Sequence, residues 1–193
     1  GGRPASGETQ NLTIVNSRIV AKNRGEGWGQ QDFTTVSAIQ LLHLIEYASF
    51  DTQSTIGMGV VNKSSGTGNE SEVTGGTSSL GNASGMASGT NGLVSVSYRG
   101  IENFWGNIYK WVDGLNIKNN EPYYALGEYQ SDKFDGNYEY LGGTLAKSNG
   151  YVSNVLFNPD FDFGFLATEV KGSSSSGLHD MYYQSTGNRV ARL

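Results

Sequence analysis

The alternation of apolar and polar residues predicts one clear helix, over residues 32–49. Apolar side chains recur there at three- and four-residue spacing on a broad face, at Ala38, Ile39, Leu41, Leu42, Leu44, Ile45 and Ala48. Asp32 or Thr34 is a suitable N-cap. Only a narrow polar stripe that includes His43 interrupts the apolar face. We therefore expect this helix to be buried on most sides against a sheet.

The remaining apolar runs are short and are typical of β-strands. Residues 12–15 and 18–21 form a first pair of strand candidates, with a turn at residues 16–17 between them. Further candidates are residues 93–98, 108–112, 123–126, 138–141, 151–157 and 163–166. Together with the helix they predict an α+β fold class: short antiparallel strands, one well-defined buried helix and long loops rich in glycine and serine.

Glycine-rich and polar segments define the expected domain organisation. Residues 1–11 are polar and contain glycine, proline and serine, which favours an extended arm or linker. Residues 12–193 then form a single domain. Within it, residues 56–92 contain many glycines and few large apolar residues. Such a loop is either functional or a disordered insertion, and the sequence leaves both readings open.

Composition and charge exclude several classes of partner. The chain of 193 residues has 28 glycines, 11 tyrosines, no cysteine and a net charge of -5. An acidic chain without a basic run is unsuited to a sequence-independent grip on nucleic acid, so we predict no nucleic-acid partner. No apolar run approaches the length of a membrane span, so we predict no membrane insertion.

The most informative segment is residues 98–114, which contain Trp105 and Trp111 between three regularly placed glycines. An aromatic core strand preceded by a turn is one reading of this segment. The order of residues 100–111 is more specific, because Gly-Ile-Glu-Asn-Phe-Trp-Gly-Asn-Ile-Tyr-Lys-Trp resembles a known signature. That signature, G-L-x-D-M-x-G-N-V-W-E-W, marks the formylglycine-generating-enzyme branch of the C-type lectin fold.

The end of the chain resembles the same branch. Residues 188–193 read Asn-Arg-Val-Ala-Arg-Leu and are similar to the N-R-V-A-R-L-G-G-x-W segment of the variable proteins of diversity-generating retroelements. The resemblance implies a C-type-lectin-like fold for residues 12–193. It assigns a structural signature to seven residues: Gly100, Asn103, Gly106, Asn107, Trp111, Arg189 and Arg192. In these relatives, later residues supply the last strands and the ligand-reading surface. We therefore expect a domain lacking its C-terminal strands, unless a mature product ends at Leu193 or the sheet closes in another way.

The function that the resemblance implies is ligand binding and host attachment by a phage tail or fibre protein, or by a prophage-encoded surface protein. The expected location is the virion, the extracellular space or the bacterial surface. The expected partner is a bacterial surface glycan or protein receptor, and the expected assembly is a homo-oligomer, with a trimer as one option. The alternative is a structural virion component that uses the fold for oligomer contacts. Tyr182 and Tyr183 are candidates for the binding face, with buried strand positions as the other reading.

Candidate chemistry in the sequence is sparse. The formylglycine-generating members use cysteines to hold copper, and this chain has none. His43 lies beside an apolar face, where a histidine is usually structural. Asp160 and Asp162 alternate with phenylalanines, and residues 179–180 (His-Asp) have no nucleophile at a motif-defined position. We therefore predict no catalytic residue and no enzyme.

The two calcium motifs of sugar-binding lectins are also altered. Glu-Pro-Asn becomes Glu-Pro-Tyr at residues 121–123, and Trp-Asn-Asp becomes Trp-Val-Asp at residues 111–113. Both changes remove an oxygen ligand that a hard cation requires. The sequence therefore predicts neither a metal site nor a cofactor.

Overall fold

A computed structural model describes residues 13–63, 71–176, 178, 180–184 and 187, and the backbone alone of residues 189–192. The helices are α1 (Ile14–Lys22), α2 (Phe33–Tyr47) and α3 (Thr52–Thr55), with a 3-10 turn at Ser78–Leu80. The strands are β1 (Gly85–Met86), β2 (Val96–Tyr98), β3 (Ile101–Glu102), β4 (Trp111–Lys118), β5 (Glu121–Tyr124), β6 (Glu139–Tyr140), β7 (Gly150–Tyr151), β8 (Asn154–Val155), β9 (Ala167–Glu169), β10 (Met181–Tyr182) and β11 (Arg189–Arg192). Every strand pair that joins these elements is antiparallel, which confirms the α+β fold class.

The described residues fall into two compact units. The first contains residues 51–110, and the second contains residues 14–50 and 111–192. The signature segment therefore leaves one unit and enters the other between Lys110 and Trp111. The predicted arm, residues 1–11, lies outside the described residues.

The first unit is built on a three-stranded sheet in the order β1-β2-β3. All three residues of β2 are buried, and the Val96 and Tyr98 side chains are each only 1% exposed. Residues 56–92, predicted to be a long loop, supply β1 and the 3-10 turn of this unit. The described part of that loop is thus folded into the sheet and its surrounding turns.

The second unit is built on a four-stranded sheet in the order β11-β4-β5-β6. The central strand, β4, has six consecutive buried residues between Val112 and Ile117. A cluster of rings lies beside it. Phe161 is 1% exposed and is stacked on Phe33 with ring centroids 5.7 Å apart. This aromatic cluster fixes the start of α2, the helix on which Phe33 lies.

The helix α2 begins and ends where the sequence predicts, but it is less buried. Asp32 caps it by accepting a 2.9 Å hydrogen bond from the Thr35 amide, and Ala48 ends it in the left-handed region. Its buried residues are Phe33, Val36, Ser37 and His43. The predicted apolar face instead leaves Leu42 50% and Ile45 80% exposed. The expectation of a helix buried on most sides is therefore wrong, because only the stripe that contains Phe33 and Val36 packs on the core.

The first pair of predicted strands is a helix. Residues 14–22 form α1, and the described part of the predicted turn, Asn16 and Ser17, lies inside it. The cause is tertiary. The guanidinium of Arg18 donates from Nε to both carboxylate oxygens of Asp113 in β4, at 2.8 and 3.0 Å, and from Nη1 to Ser131 at 3.2 Å. These bonds to residues distant in sequence stabilise the helix, despite the β preference of the isoleucines and valines in this segment.

Two other strand predictions are displaced. The strand expected over residues 108–112 begins only at Trp111 and continues to Lys118, and Tyr109 is 70% exposed. The strand expected over residues 163–166 is replaced by β9 at Ala167–Glu169. In both cases the apolar run lies just before a strand and the ladder begins a few residues later.

Candidate ligand-binding site

The signature segment forms a tight series of turns at the surface of the first unit. Gly100, Asn103, Gly106 and Asn107 all adopt positive φ, at 85°, 52°, 72° and 70°. Glycine and asparagine are the residues that enter this region most easily. The residue types at these four positions are thus the ones that the backbone path requires.

Gly106 is further restricted by its neighbours. A Cβ atom built on it would lie 3.0 Å from the backbone nitrogen of Val60 and 3.3 Å from Cα of Gly59. The adjacent Asn107 donates its amide to the carbonyl oxygen of Val60 at 2.9 Å, and its side-chain oxygen accepts from the amide of Glu72 at 2.7 Å. The turn is therefore joined to two segments of the glycine-rich loop.

Glu102 fastens a third part of that loop. Its carboxylate accepts hydrogen bonds from the Gly75 amide, the Thr77 amide and the Thr77 hydroxyl, each 2.7 Å long. Burial by itself raises the pKa of the Glu102 carboxyl, but the bonds from Thr77 and Gly75 outweigh it and the net pKa shift is downward. Glu102 is therefore charged at neutral pH and committed to holding residues 75–77.

A cleft of about 530 Å³ lies between the turns of the signature segment and the loop that Glu102 holds. Most of its lining residues are polar or glycine, although carbon atoms contribute most of the exposed lining surface. The lining side chains that bear on recognition are Thr74, Thr77, Ser78, Glu102, Asn107 and Lys110. Glycine backbone at Gly75 and Gly100 completes part of the wall. The volume lies within the range of about 300–1,000 Å³ that is typical of small-molecule sites.

Among the described residues, Lys110 is the only cation in the lining of this cleft. Its ammonium donates a long hydrogen bond of 3.4 Å to the carbonyl oxygen of Phe104. It forms no ion pair with a carboxylate among the described residues. Burial lowers the pKa of Lys110 from 10.5 to about 8. This half-buried ammonium has one long hydrogen bond as compensation, and it gives the cleft a local positive charge.

The remaining signature residues have structural positions in the second unit. Trp111 opens β4 and is half-buried, whereas Val112 and Leu115 in the same strand are each 1% exposed. The C-terminal motif forms β11, in which Arg189 is opposite Ile117 and Arg192 is opposite Trp111. Trp111 is the one residue of the segment 100–111 that lies in β4, so the two segments that resemble the lectin branch pair there through Trp111 and Arg192. The side chains of Arg189 and Arg192 lie outside the described atoms.

The predicted binding residues Tyr182 and Tyr183 do not line the cleft. Tyr182 is half-buried in β10, and its hydroxyl donates to the carbonyl oxygen of Ala146 at 3.2 Å. Tyr183 is 59% exposed, and its hydroxyl lies 3.6 Å from the sulfur of Met181. Tyr182 therefore has a structural bond in the second unit, while Tyr183 presents its ring to solvent.

The other titratable candidates are dispersed. His43 is buried and stacked on Tyr47 with ring centroids 4.7 Å apart, and burial lowers the pKa of its imidazole while Glu46 opposes the shift. Asp160 and Asp162 are exposed on a turn. His179 lies outside the described residues. In the described part of the chain, no three His, Asp or Glu side chains cluster as a metal site requires, and no helix combines the length and apolar character needed to cross a membrane.

Sequence reasoning identified Gly100, Asn107 and the long loop but did not identify Lys110 or Glu102 as site residues. Nothing local distinguishes Lys110, since it follows an exposed tyrosine within an apparently alternating run. Glu102 carries a weak signal. A lone carboxylate between two turns, opposite a loop rich in glycine and threonine, is a suitable acceptor for free backbone amides.

Comparisons of the chain with protein-family models, with curated proteins and with solved structures found no match.

Proposed function

We propose that this chain is a lectin-fold module that binds a ligand on a bacterial surface, as part of a phage tail or fibre or of a prophage-encoded surface protein. The observation that carries the proposal is the polar cleft of the first unit. Its walls are the turns of the segment that resembles the lectin signature and the loop that Glu102 fastens. The resemblance at residues 100–111 and 188–193 supports the fold and the setting.

The chemistry of the cleft favours recognition. Backbone amides and hydroxyls placed around an open volume are the groups that select among polar ligands. In the part of the lining that the structure describes, Glu102 is the one carboxylate, and three donors already engage it. A carboxylate held this way is poorly placed as a general base, because its charged form is stabilised and its oxygens are directed at the loop.

A substitution that fills the cleft tests the proposal. Thr74 is exposed and lines the cleft, so Thr74→Trp should occupy it without disturbing a buried residue. Ser79 is equally exposed but lies outside the lining, and Ser79→Trp is the matched control. The assay is binding of the fluorescently labelled protein to a panel of bacterial cells. We expect the Ser79 variant to retain binding and the Thr74 variant to lose at least about ten-fold in affinity, as expected when a site is blocked. Equal binding by both variants contradicts the assignment.

A structural role in the particle is the second candidate, and the exposed apolar stripe of α2 favours it. Ala38, Leu42 and Ile45 recur at four- and three-residue spacing on the side opposite Phe33 and Val36. Contiguous exposed apolar surface is typical of protein contacts. A homo-oligomer that covers this stripe would use the fold for assembly.

The oligomeric state distinguishes the two candidates. We expect a structural component to form a stable oligomer, measured by sedimentation or light scattering, that dissociates when Leu42 and Ile45 are both replaced by glutamate. Asn16→Glu with Lys22→Gln in α1 is the control, because these two exposed positions then change the net charge by the same amount. If the parent protein and the glutamate variant are both monomeric, the structural role is excluded. An oligomer that also binds cells through the cleft is compatible with both roles.

A further inference from the structure

The bonding of Lys110 differs from that of the other charged residue in the cleft. The Glu102 carboxylate has three short bonds to the loop, whereas the Lys110 ammonium has a single 3.4 Å bond to a carbonyl oxygen. An ammonium carries three donors and no acceptor. Two of those donors have no partner among the described residues, and the half-buried side chain lines a cleft of about 530 Å³.

The other described charges near the cleft do not compensate Lys110. Glu72, whose amide is bonded to Asn107, forms its ion pair with Lys63. Glu102 is directed at Gly75 and Thr77. An isolated buried charge is costly unless it is paired, so the group that pairs best with Lys110 is an anion entering from the cleft.

The geometry points to an acidic carbohydrate as the ligand of this cleft, with its carboxylate, phosphate or sulfate bonded to the ammonium of Lys110 and its hydroxyl groups to the polar wall. This inference rests on the proposed function and specifies its ligand class. A sugar suits the wall better than a peptide does, because Ile108 is the one large apolar residue in the lining. Peptide side chains need apolar anchor sites, while sugar hydroxyls match Thr74, Ser78 and the exposed glycine backbone.

Charge on the ligand and charge on the protein are varied separately in the test. Isothermal titration calorimetry measures binding of galacturonic acid against galactose, and of galactose 6-phosphate against galactose. The two pairs distinguish a carboxylate from a phosphate on the same kind of scaffold. Lys110→Met removes the ammonium and keeps the length of the side chain. Lys147→Met is the control, since Lys147 is exposed in the second unit and its loss changes the net charge equally.

We expect at least one acidic sugar to bind more tightly than its neutral partner at pH 7, and Lys110→Met to weaken that binding by about 10- to 100-fold, the size of a lost charge-assisted hydrogen bond. Lys147→Met should leave it unchanged. Binding should also weaken as the pH rises above about 8, where Lys110 loses its proton.

The outcomes separate the inference from the function on which it rests. Equal affinity for acidic and neutral sugars, or an acidic-sugar affinity that survives Lys110→Met, overturns the assignment of the anion to Lys110 and leaves ligand binding in place. Absence of binding to every sugar, together with cell binding that is blocked by Thr74→Trp, overturns the carbohydrate class. Absence of both sugar and cell binding overturns the proposed function itself.

Discussion

Lys110 is a residue whose burial opposes the stability of the first unit. Its charged form loses hydration on burial, which lowers its pKa from 10.5 to about 8, and the single long hydrogen bond to Phe104 does not offset this loss. Residues that cost stability in a folded protein are often retained for binding or catalysis. The stability of a variant without this charge is therefore informative about function.

We expect Lys110→Met to stabilise the protein at pH 7. A pKa lowered from 10.5 to about 8 corresponds to roughly 3 kcal/mol at most. Between these two pH values the unfolded chain binds more protons at Lys110 than the folded chain does, so the free energy of unfolding of the parent rises with pH across this window. The advantage of the variant should therefore be full below pH 8 and shrink towards pH 10.5. Urea unfolding at pH 7 and pH 10 measures both values, and a variant less stable than the parent at pH 7 contradicts the account.

Gly106 is the position at which the turn is most restricted. It combines a φ of 72° with the close approach of the Val60 backbone nitrogen. Gly127 in the second unit has the same φ of 72°, but a Cβ atom built on it would lie in open space. The two glycines therefore separate the cost of backbone strain from the cost of a steric clash.

We expect Gly106→Val to prevent folding of the first unit, and Gly106→Ala to destabilise it by more than the cost of a left-handed alanine. That cost is about 1–2 kcal/mol and should be the whole effect of Gly127→Ala. Thermal unfolding followed by near-ultraviolet circular dichroism compares the alanine variants. Equal losses for both would show that the Val60 backbone does not restrict Gly106.

At the scale of secondary-structure elements, the chain's helices illustrate what a sequence can and cannot predict. The start and end of α2 follow from local signals, namely the N-cap at Asp32 and a long segment in which apolar residues recur at helical spacing. The exposure of Ile45 does not, because it depends on which side of the helix meets the aromatic cluster. Whether α1 is a helix or a strand also depends on residues distant in sequence, since its short run of β-branched residues is typical of a strand and the helix is held by the bond from Arg18 to Asp113.

The position of the cleft could likewise be predicted from the sequence only in part. Its turns are visible as glycine and asparagine, but the burial of Lys110 arises from the fold.

The Arg18–Asp113 ion pair links α1 to β4, and its loss should be costly. The two side chains are 16% and 4% exposed. We expect Arg18→Met to destabilise the second unit by about 3–5 kcal/mol, because it leaves the buried carboxylate of Asp113 without its partner. Replacing both residues with apolar ones, Arg18→Met with Asp113→Leu, should recover much of this loss. Chemical unfolding of Arg18→Met, of Asp113→Leu and of the double variant measures the coupling, and strictly additive losses would contradict a direct pair.

On the scale of the whole molecule, the net charge of -5 opposes the ligand class that the cleft selects. The local attraction of Lys110 acts at contact, while the repulsion between an acidic chain and an acidic ligand acts at long range. Salt screens the long-range part first. The net charge of the protein should therefore affect the rate at which an acidic ligand associates with it.

We expect the association rate of an acidic oligosaccharide to rise as the ionic strength increases from about 10 to 150 mM, over which the Debye length falls from about 30 to 8 Å. Stopped-flow fluorescence measures this rate, with the neutral partner sugar as the control that should show little salt dependence. A rate that falls with added salt would indicate attraction by a basic surface and would contradict a site with one local cation.

The position of the ligand tests the central claim, that the polar cleft of the first unit is the binding site. The measurement is a heteronuclear NMR titration of the isotope-labelled chain with the acidic sugar that binds most tightly. We predict shift changes concentrated at residues 74–78 and 100–110, with a rise in the pKa of Lys110 when the ligand is bound. Shift changes centred on Tyr182 and Tyr183 instead, with residues 74–78 and Lys110 unaffected, would contradict the account.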